Sequence, residues 1–155
     1  RYDAVATLVG RMGLRLGRRS KNELRTDQMQ VYLGDSMSEM MSYYRLASIA
    51  FVGGSLVNTG CQNVLEPAAF GIPVVTGPSQ FNFATICRQL EAESALRTVA
   101  NEKELADFLI DLIPDWARQA EMGRRGKALV EDNQDSLPAL LSLLEPLLAE
   151  SSSDA

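Results

Sequence analysis

The residues best suited to chemistry in this sequence lie between Phe51 and Pro78. An apolar segment ends in Gly53-Gly54-Ser55, and Asn63 and Glu66 follow at the start of a predicted helix. Glycine lets the backbone approach a ligand closely. Asn63 can donate and accept hydrogen bonds, and the Glu66 carboxylate can accept two ribose hydroxyls. This order of strand, glycine-rich loop and helix is typical of a nucleotide site at the carboxyl edge of a parallel sheet.

Each of these residues also has a purely structural interpretation. The two glycines can serve a tight turn without any ligand. Asn63 can cap the helix, and Glu66 can compensate the helix dipole. The pattern alone leaves both interpretations open. The combination of glycine loop, amide and carboxylate in one short segment favours the ligand site.

A second candidate turn spans Gly34 to Met37, after the preceding predicted strand. The helix start there could bind a phosphate with help from the Ser36 hydroxyl. Asp35 opposes direct phosphate contact because like charges repel. Ser36 and Glu39 have the spacing of a capping box, which explains those two residues without a ligand and is the interpretation we favour for them.

These turns are positioned by alternating strands and helices. Hydrophobic periodicity and capping signals predict strands at 14–18, 29–33, 48–52, 73–76 and 95–99, and helices at 2–12, 37–46, 63–70, 83–92, 101–112, 114–130 and 137–148. Such alternation predicts an α/β fold, a doubly wound, Rossmann-like parallel sheet. Residues 1–150 are expected to form one domain, and residues 151–155 a disordered tail.

Composition excludes several classes of function. The chain has 155 residues, a net charge of −5 and no histidine. An acidic chain without a basic patch argues against nucleic-acid binding, and the lack of histidine excludes imidazole bases and most zinc sites. Cys61 and Cys87 are too few for a disulfide framework, so a reduced compartment is expected. No apolar run spans a bilayer. The chain begins with Arg1 rather than Met, so we expect a part of a longer protein.

Four motifs in order carry a resemblance to a known family: VYLGDSMSEM, AFVGGSL, QNVLEPAAFGIPVVTGP and FNF. Together they closely resemble the carboxyl-terminal half of the 3-deoxy-D-manno-octulosonic acid (Kdo) transferases. These bacterial glycosyltransferases add Kdo from CMP-Kdo to a lipid A precursor. The family has a GT-B fold, with two Rossmann-like domains and the active site in the cleft between them.

The resemblance implies that this chain binds the CMP-Kdo donor and needs no metal or cofactor. The donor-binding residues it implies are Gly34, Ser36, Met37, Gly53, Gly54, Ser55, Gln62, Asn63 and Glu66. Glu66 would bind the ribose hydroxyls, and the helix start at 62–64 would face the phosphate. Many members have histidine at two positions where this chain has Gln62 and Ser79. Neither of these side chains can titrate near neutral pH.

The family's acidic catalytic residue, its acceptor site for the lipid A precursor and its membrane anchor belong to the amino-terminal half. The chain is therefore expected to contain no catalytic residue, to be soluble and to be inactive by itself. The full-length enzyme is expected at the cytoplasmic face of the inner membrane. The alternatives are another GT-B enzyme that uses a UDP-sugar and a non-catalytic nucleotide-binding domain.

The predicted domain lacks its first strand, which is central in a 3-2-1-4-5-6 sheet. The strands at 14–18 and 48–52 would then flank an empty place, and a sheet cannot leave that many backbone groups unpaired. We expect either that these two strands pair directly or that a segment of another copy fills the place.

Overall fold

The computed structural model describes the backbone of residues 2–151 and the side chains of residues 2–133. All paired strands in that part of the chain run parallel, which confirms the α/β class. The elements in chain order are α1 (Tyr2–Arg11), β1 (Leu16–Arg18), β2 (Val31–Leu33), α2 (Met40–Leu46), β3 (Ala50–Phe51), α3 (Leu65–Ala69), β4 (Val74–Thr76), α4 (Ala84–Ala92), β5 (Leu96–Thr98), α5 (Glu102–Leu112) and α6 (Trp116–Ser151). The chain divides into two compact units, the first ending at Tyr43 and the second beginning at Tyr44.

The first unit contains a parallel pair of strands, β1 and β2, in register from Leu16 opposite Val31 to Arg18 opposite Leu33. Helix α1 contacts both strands and buries Val9. The predicted helix start at residue 37 is wrong, because α2 begins at Met40. Ser38 adopts a positive φ of 64°, which interrupts a helix at that point.

The second unit is built on the sheet β3-β4-β5. Its central strand, β4, is buried at every residue, as expected for a parallel strand covered on both faces. The hydrophobic core around it consists of Val52, Cys61, Val64, Ala68, Val74, Cys87, Leu90, Ala95, Leu96 and Val130. These residues come from β4, β5, α3, α4 and α6 and from the connecting segments beside them, so one core fixes the position of the loops at the carboxyl ends of the strands.

Helix α6 packs closely behind α3 because Gly123 has no side chain. A Cβ at Gly123 would overlap the carbonyl of Gly71, which ends α3 in the left-handed region at φ +70°. Gly126, one turn further along α6, faces Ala68 and Ala95. Small residues at these positions allow the helix backbones to approach, and that approach supports the segment that carries Asn63 and Glu66 from behind.

The start of α5 agrees with the prediction, whereas the extent of α6 does not. The Asn101 side chain accepts a hydrogen bond from the Glu104 N–H at 3.0 Å, which confirms the predicted cap of α5. The predicted break between residues 130 and 137 is wrong, since α6 continues to Ser151. The predicted leucine-rich stripe at 137–148 lies beyond the described side chains, and all of the predicted tail except Ser151 lies outside the described residues.

The strands form two separate sheets within the described residues, β1-β2 and β3-β4-β5. The predicted direct pairing of the strands at 14–18 and 48–52 is therefore wrong: β1 pairs with β2, and β3 with β4.

Candidate functional site

Ser55 joins two turns at the carboxyl ends of β3 and β4. Its hydroxyl donates to the Val52 carbonyl at 2.6 Å and accepts from the Gly77 N–H at 2.8 Å. Its carbonyl accepts from the Ser79 N–H at 2.9 Å. The Ser55 side chain is 0% exposed, so its hydroxyl is used inside the protein. The residue as a whole is buried, so Ser55 shapes the turn from inside the protein, and its predicted ligand contact stays a prediction.

Residues 53–60, which we call the glycine turn, depend on glycine for their shape. Gly54 and Gly60 have φ values of +82° and +80°, in the left-handed region that favours glycine. A Cβ at Gly54 would also overlap the Gly60 carbonyl. The Gly53 carbonyl accepts from the Gln62 N–H at 3.1 Å, which closes the turn. The tight-turn interpretation thus accounts for Gly54, and the predicted ligand contacts of Gly53 and Gly54 are compatible with it.

Two polar side chains after β4 hold the end of the glycine turn. The Ser79 hydroxyl accepts from the Gly60 N–H at 3.0 Å, and the Asn82 amide donates to the Cys61 carbonyl at 2.6 Å. Phe83 packs against the core, whereas Phe81 is 66% exposed. The sequence offers only one signal for the role of Asn82, its place between two aromatics after a strand end.

Asn63 and Glu66 contact each other at the start of α3, as their three-residue spacing predicts. The Asn63 amide donates to the Glu66 carboxylate at 3.2 Å, and its oxygen accepts from the Leu65 N–H at 3.0 Å. Asn63 therefore organises the helix start and orients the carboxylate. Glu66 is half-buried, and the side chain of Gln62 is exposed. Helix α3 has five residues, shorter than predicted, so its dipole is a weaker source of positive potential.

Tyr44 is a neighbour of Glu66 that the sequence does not single out. Burial, followed by the negative charge of Glu66, raises the pKa of the Tyr44 phenol above its ordinary value. The Tyr44 ring also contacts the Phe70 ring, with centroids 6.0 Å apart. A neutral tyrosine therefore lies near enough to Glu66 to feel its charge while its ring contacts Phe70.

Cys61 and Cys87 are buried, free thiols in the core next to this site. Burial, together with the Cys61 thiol beside it, raises the pKa of Cys87 to about 12. A thiol with so high a pKa carries almost no thiolate near neutral pH and is a poor nucleophile. The two cysteines therefore act as core residues.

In the first unit, Asp35 is fully engaged within the protein. Its carboxylate accepts hydrogen bonds from the hydroxyl of Ser20 at 2.7 Å, the N–H of Ser20 at 2.8 Å and the guanidinium of Arg18 at 2.7 Å. These bonds hold the pKa of Asp35 well below its usual range. Gly34 beside it packs closely against Tyr43, since a Cβ there would lie 2.7 Å from the Tyr43 ring, which would have to shift.

The other predicted residues of this turn differ in what they can offer. The Ser36 hydroxyl donates to the Glu39 carboxylate, which also binds the guanidinium of Arg19 at 2.7 Å. Ser36 therefore does not cap α2 as the capping box predicts. Met37 is 83% exposed, and its side chain is available to a ligand.

The described residues contain no group of three or more cysteine, aspartate or glutamate side chains placed to hold a metal ion. Among the helices of the described chain, none has the length and apolar character needed to cross a membrane.

The comparison with known proteins agrees with this geometry. Residues 1–129 match the family model of glycosyl transferases group 1. The chain is 40% identical, over 96% of its length, to a 3-deoxy-D-manno-octulosonic acid transferase of Haemophilus influenzae, and 32% identical over 96% to that of Bordetella pertussis. It spans 35% of the length of each relative.

A solved structure is similar as well. The crystal structure of the C-terminal CMP-Kdo binding domain of WaaA from Acinetobacter baumannii superposes with a TM-score of 0.80 at 30% sequence identity. The match covers 84% of this chain and 68% of that one. The resemblance drawn from the four motifs is confirmed. The chain belongs to the group 1 glycosyl transferases and, among them, is a relative of the Kdo transferases.

Proposed function

We propose that this chain is the donor-binding, carboxyl-terminal domain of a Kdo transferase, formed by residues 1–150, and that it binds CMP-Kdo. The observation that carries the proposal is the oriented pair at the start of α3. Asn63 holds one Glu66 oxygen at 3.2 Å while the carboxylate stays half-exposed. Similarity to a domain described as CMP-Kdo binding supports the choice of nucleotide.

Glu66 is proposed to accept the two ribose hydroxyls of the cytidine. A carboxylate has two oxygens and about four acceptor positions, so the bond from Asn63 leaves capacity for a diol. Ribose contacts of this kind do not distinguish bases. Selection of cytosine must therefore come from other groups. We propose that Gly34, Ser36 and Met37, in the first unit, also contribute to donor binding.

The phosphate is proposed to contact main-chain N–H groups of the glycine turn and of residues 62–64, other than those of Gln62 and Gly60, which donate to the Gly53 carbonyl and the Ser79 hydroxyl. A short α3 gives little dipole, so individual N–H donors carry this contact. Gly53 and Gly54 lack side chains that would block the approach. Gln62 is exposed and can add an amide donor.

The reaction of the full-length protein is proposed to be direct displacement at the anomeric carbon of Kdo. A hydroxyl of the lipid A precursor forms the new C–O bond, and the bond to the phosphate oxygen breaks, so that CMP leaves with the electron pair. The hydroxyl proton passes to a base outside this chain. The part contributed here is stabilisation of the leaving phosphate by hydrogen-bond donors. We place the acceptor contacts outside this chain and the full-length enzyme at the cytoplasmic face of the inner membrane.

The isolated chain is proposed to complete its sheet by strand exchange with a second copy. β3 is an edge strand within the described sheet, and its Phe51 side chain is 39% exposed. An unpaired edge is a template for another strand. Sedimentation across a concentration series tests this. A dimer fraction that rises with protein concentration supports exchange, and a monomer at all concentrations contradicts it.

Calorimetric titration of the folded chain with CMP and with UDP tests the donor assignment. We expect CMP to bind at least tenfold more tightly than UDP, about 1.4 kcal/mol. A preference for UDP would assign the chain to a UDP-sugar enzyme. Binding of neither nucleotide at millimolar concentration would contradict the proposal.

A further inference from the structure

A cavity of about 470 Å³ lies beside the glycine turn, at the amino-terminal end of α4. Its walls include the polar side chains of Asn58, Ser79 and Arg88 and the ring of Phe81. The cavity is lined by groups that suit a hydroxylated, negatively charged molecule. The residues proposed above to bind the nucleotide, Asn63 and Glu66, do not line it.

Ser79 connects this cavity to the nucleotide site. Its hydroxyl oxygen accepts from the Gly60 N–H at 3.0 Å, so the hydroxyl proton is available to donate into the cavity. Phe81 reaches the same residue, since a Cβ at Gly60 would lie 3.0 Å from its ring. Gly60 is followed closely in sequence by Gln62. Through Ser79, the cavity wall is therefore hydrogen-bonded to the glycine turn that is proposed to contact the phosphate.

Arg88 supplies the positive charge of this cavity, and that charge is not neutralised by the described part of the chain. Its guanidinium makes long contacts within its own helix, to the Ala84 carbonyl at 3.3 Å and the Thr85 hydroxyl at 3.5 Å. Among the described arginines, five have a carboxylate within 2.7 Å: Arg18, Arg19, Arg118, Arg124 and Arg125. Arg88 belongs to the exposed arginines that have no salt bridge within the described residues, which also include Arg11, Arg15, Arg25, Arg45 and Arg97. Arg88 differs from these last five because it lines this cavity, where it can pair with a bound anion.

We propose that this cavity binds the sugar-acid part of the donor, with Arg88 paired to its carboxylate. The inference rests on the proposed function and deepens it. A CMP-linked 2-keto sugar acid carries two anionic groups, a phosphate and a carboxylate, and the first is assigned to the glycine turn. A guanidinium matches a carboxylate with two parallel hydrogen bonds. Ser79 and Asn58 face the sugar hydroxyls.

The assignment makes Arg88 a specificity residue. A nucleotide-linked neutral hexose has no carboxylate, so it would leave the guanidinium without a partner in the cavity. Free CMP lacks the sugar and should not use Arg88. The contribution of Arg88 should therefore appear in the ratio of CMP-Kdo to CMP affinity and not in CMP affinity itself.

The test measures the binding of CMP and of CMP-Kdo to the full chain and to the variants Arg88→Gln and Arg88→Lys. A hydrogen-bonded charge pair is worth about 1.5–3 kcal/mol, so Arg88→Gln should weaken CMP-Kdo binding about tenfold or more while CMP binding stays within twofold. Arg88→Lys keeps the charge but cannot form two parallel hydrogen bonds, so its affinity for CMP-Kdo should lie between those of the unsubstituted chain and Arg88→Gln. Arg97→Gln is the matched control, because Arg97 is exposed on β5, outside this cavity.

The outcomes separate this inference from the proposed function. If the unsubstituted chain binds neither ligand, the proposed function is contradicted and the inference falls with it. If it binds CMP-Kdo and Arg88→Gln binds it equally well, this inference alone is overturned. Equal losses of CMP and CMP-Kdo in Arg88→Gln would also overturn it, because Arg88 would then act on the nucleotide or on the fold.

Discussion

The hydroxyl of Ser55 and the N–H of Gly77 are joined by a 2.8 Å hydrogen bond between the ends of β3 and β4. Both residues are buried. A Cβ at Gly77 would overlap the Ser55 carbonyl, so the two turns meet backbone to backbone. This contact fixes the position of the glycine turn relative to residues 77–82.

Ser55→Ala should destabilise the protein by about 1–3 kcal/mol, because it leaves the buried Gly77 N–H without its acceptor. The measurement is the free energy of unfolding in urea. Thr59→Ala is the control, since the Thr59 hydroxyl bonds the Gly54 carbonyl in the same turn but is exposed. Equal stability of the two variants would contradict the structural role given to Ser55.

Glu66→Ala should weaken CMP binding about tenfold or more, which corresponds to loss of hydrogen bonds from a charged acceptor. Glu66→Gln should retain part of the affinity, because an amide oxygen still accepts. The dissociation constants are measured by calorimetry. Glu102→Ala, an exposed glutamate at the start of α5, should leave CMP binding unchanged. Undiminished binding by Glu66→Ala would remove Glu66 from the site.

Gly123→Ala should destabilise the protein by about 1–3 kcal/mol, as overpacking does, because its methyl group would meet the Gly71 backbone. Thermal unfolding monitored by circular dichroism measures the effect. Gly10→Ala is the matched control in α1, where a Cβ meets no atom within 4 Å. That variant should gain up to about 1 kcal/mol from helix propensity. If Gly123→Ala leaves the thermal stability unchanged, α6 can move away from α3 at little cost in free energy.

The first unit should lose stability in acid through Asp35. Its pKa is lower in the folded protein than the ordinary 3.8, so its stabilising contribution is complete above pH about 4 and declines as the pH falls toward the folded value. The Ser20 amide, which donates to this carboxylate, should change its NMR chemical shift in that acidic range. Asp35→Asn should abolish that dependence, whereas Asp27→Asn, at an exposed position, should not. A Ser20 shift that titrates near pH 3.8 would contradict the ion pair.

The two thiols should resist modification in the folded protein. Both are buried, and the pKa of Cys87 is raised to about 12. At pH 8 we expect iodoacetamide to label neither cysteine in hours under native conditions and both in minutes in urea, because thiolate fraction and access control the rate. Mass spectrometry counts the labels. Rapid native labelling of Cys87 would show that the core around it opens.

Local sequence signals predicted the strands and most helices of this fold. β4 is a short apolar segment between Pro73 and Gly77. Asn101 has the spacing of a helix cap, and the structure shows its side chain capping α5. These features depend on neighbours within a few residues. The capping box at Ser36 failed, because its hydroxyl and Glu39 bond each other and Arg19, which lies 20 residues from Glu39.

The contacts that shape the candidate site could not be read from the sequence. Ser55 bonds Gly77 across 22 residues, and Asn82 bonds Cys61 across 21. Tyr44 reaches Glu66 from another element. Such partners are set by how strands and helices pack, which no local pattern encodes. The pairing of Asn63 with Glu66 was predictable because residues three apart share a helix face.

The buried hydroxyl of Ser55 has a consequence for how donor preference can change. With that side chain turned inward and two glycines before it, the glycine turn offers incoming molecules mainly its backbone. Backbone donors are present whatever side chains surround them, so the proposed phosphate contacts should tolerate substitutions other than those of the glycines that shape the turn. The proposed sugar contacts, by contrast, come from exposed side chains nearby, such as Asn58 and Arg88. An engineer seeking a new sugar donor would keep residues 53–55 and diversify the cavity wall.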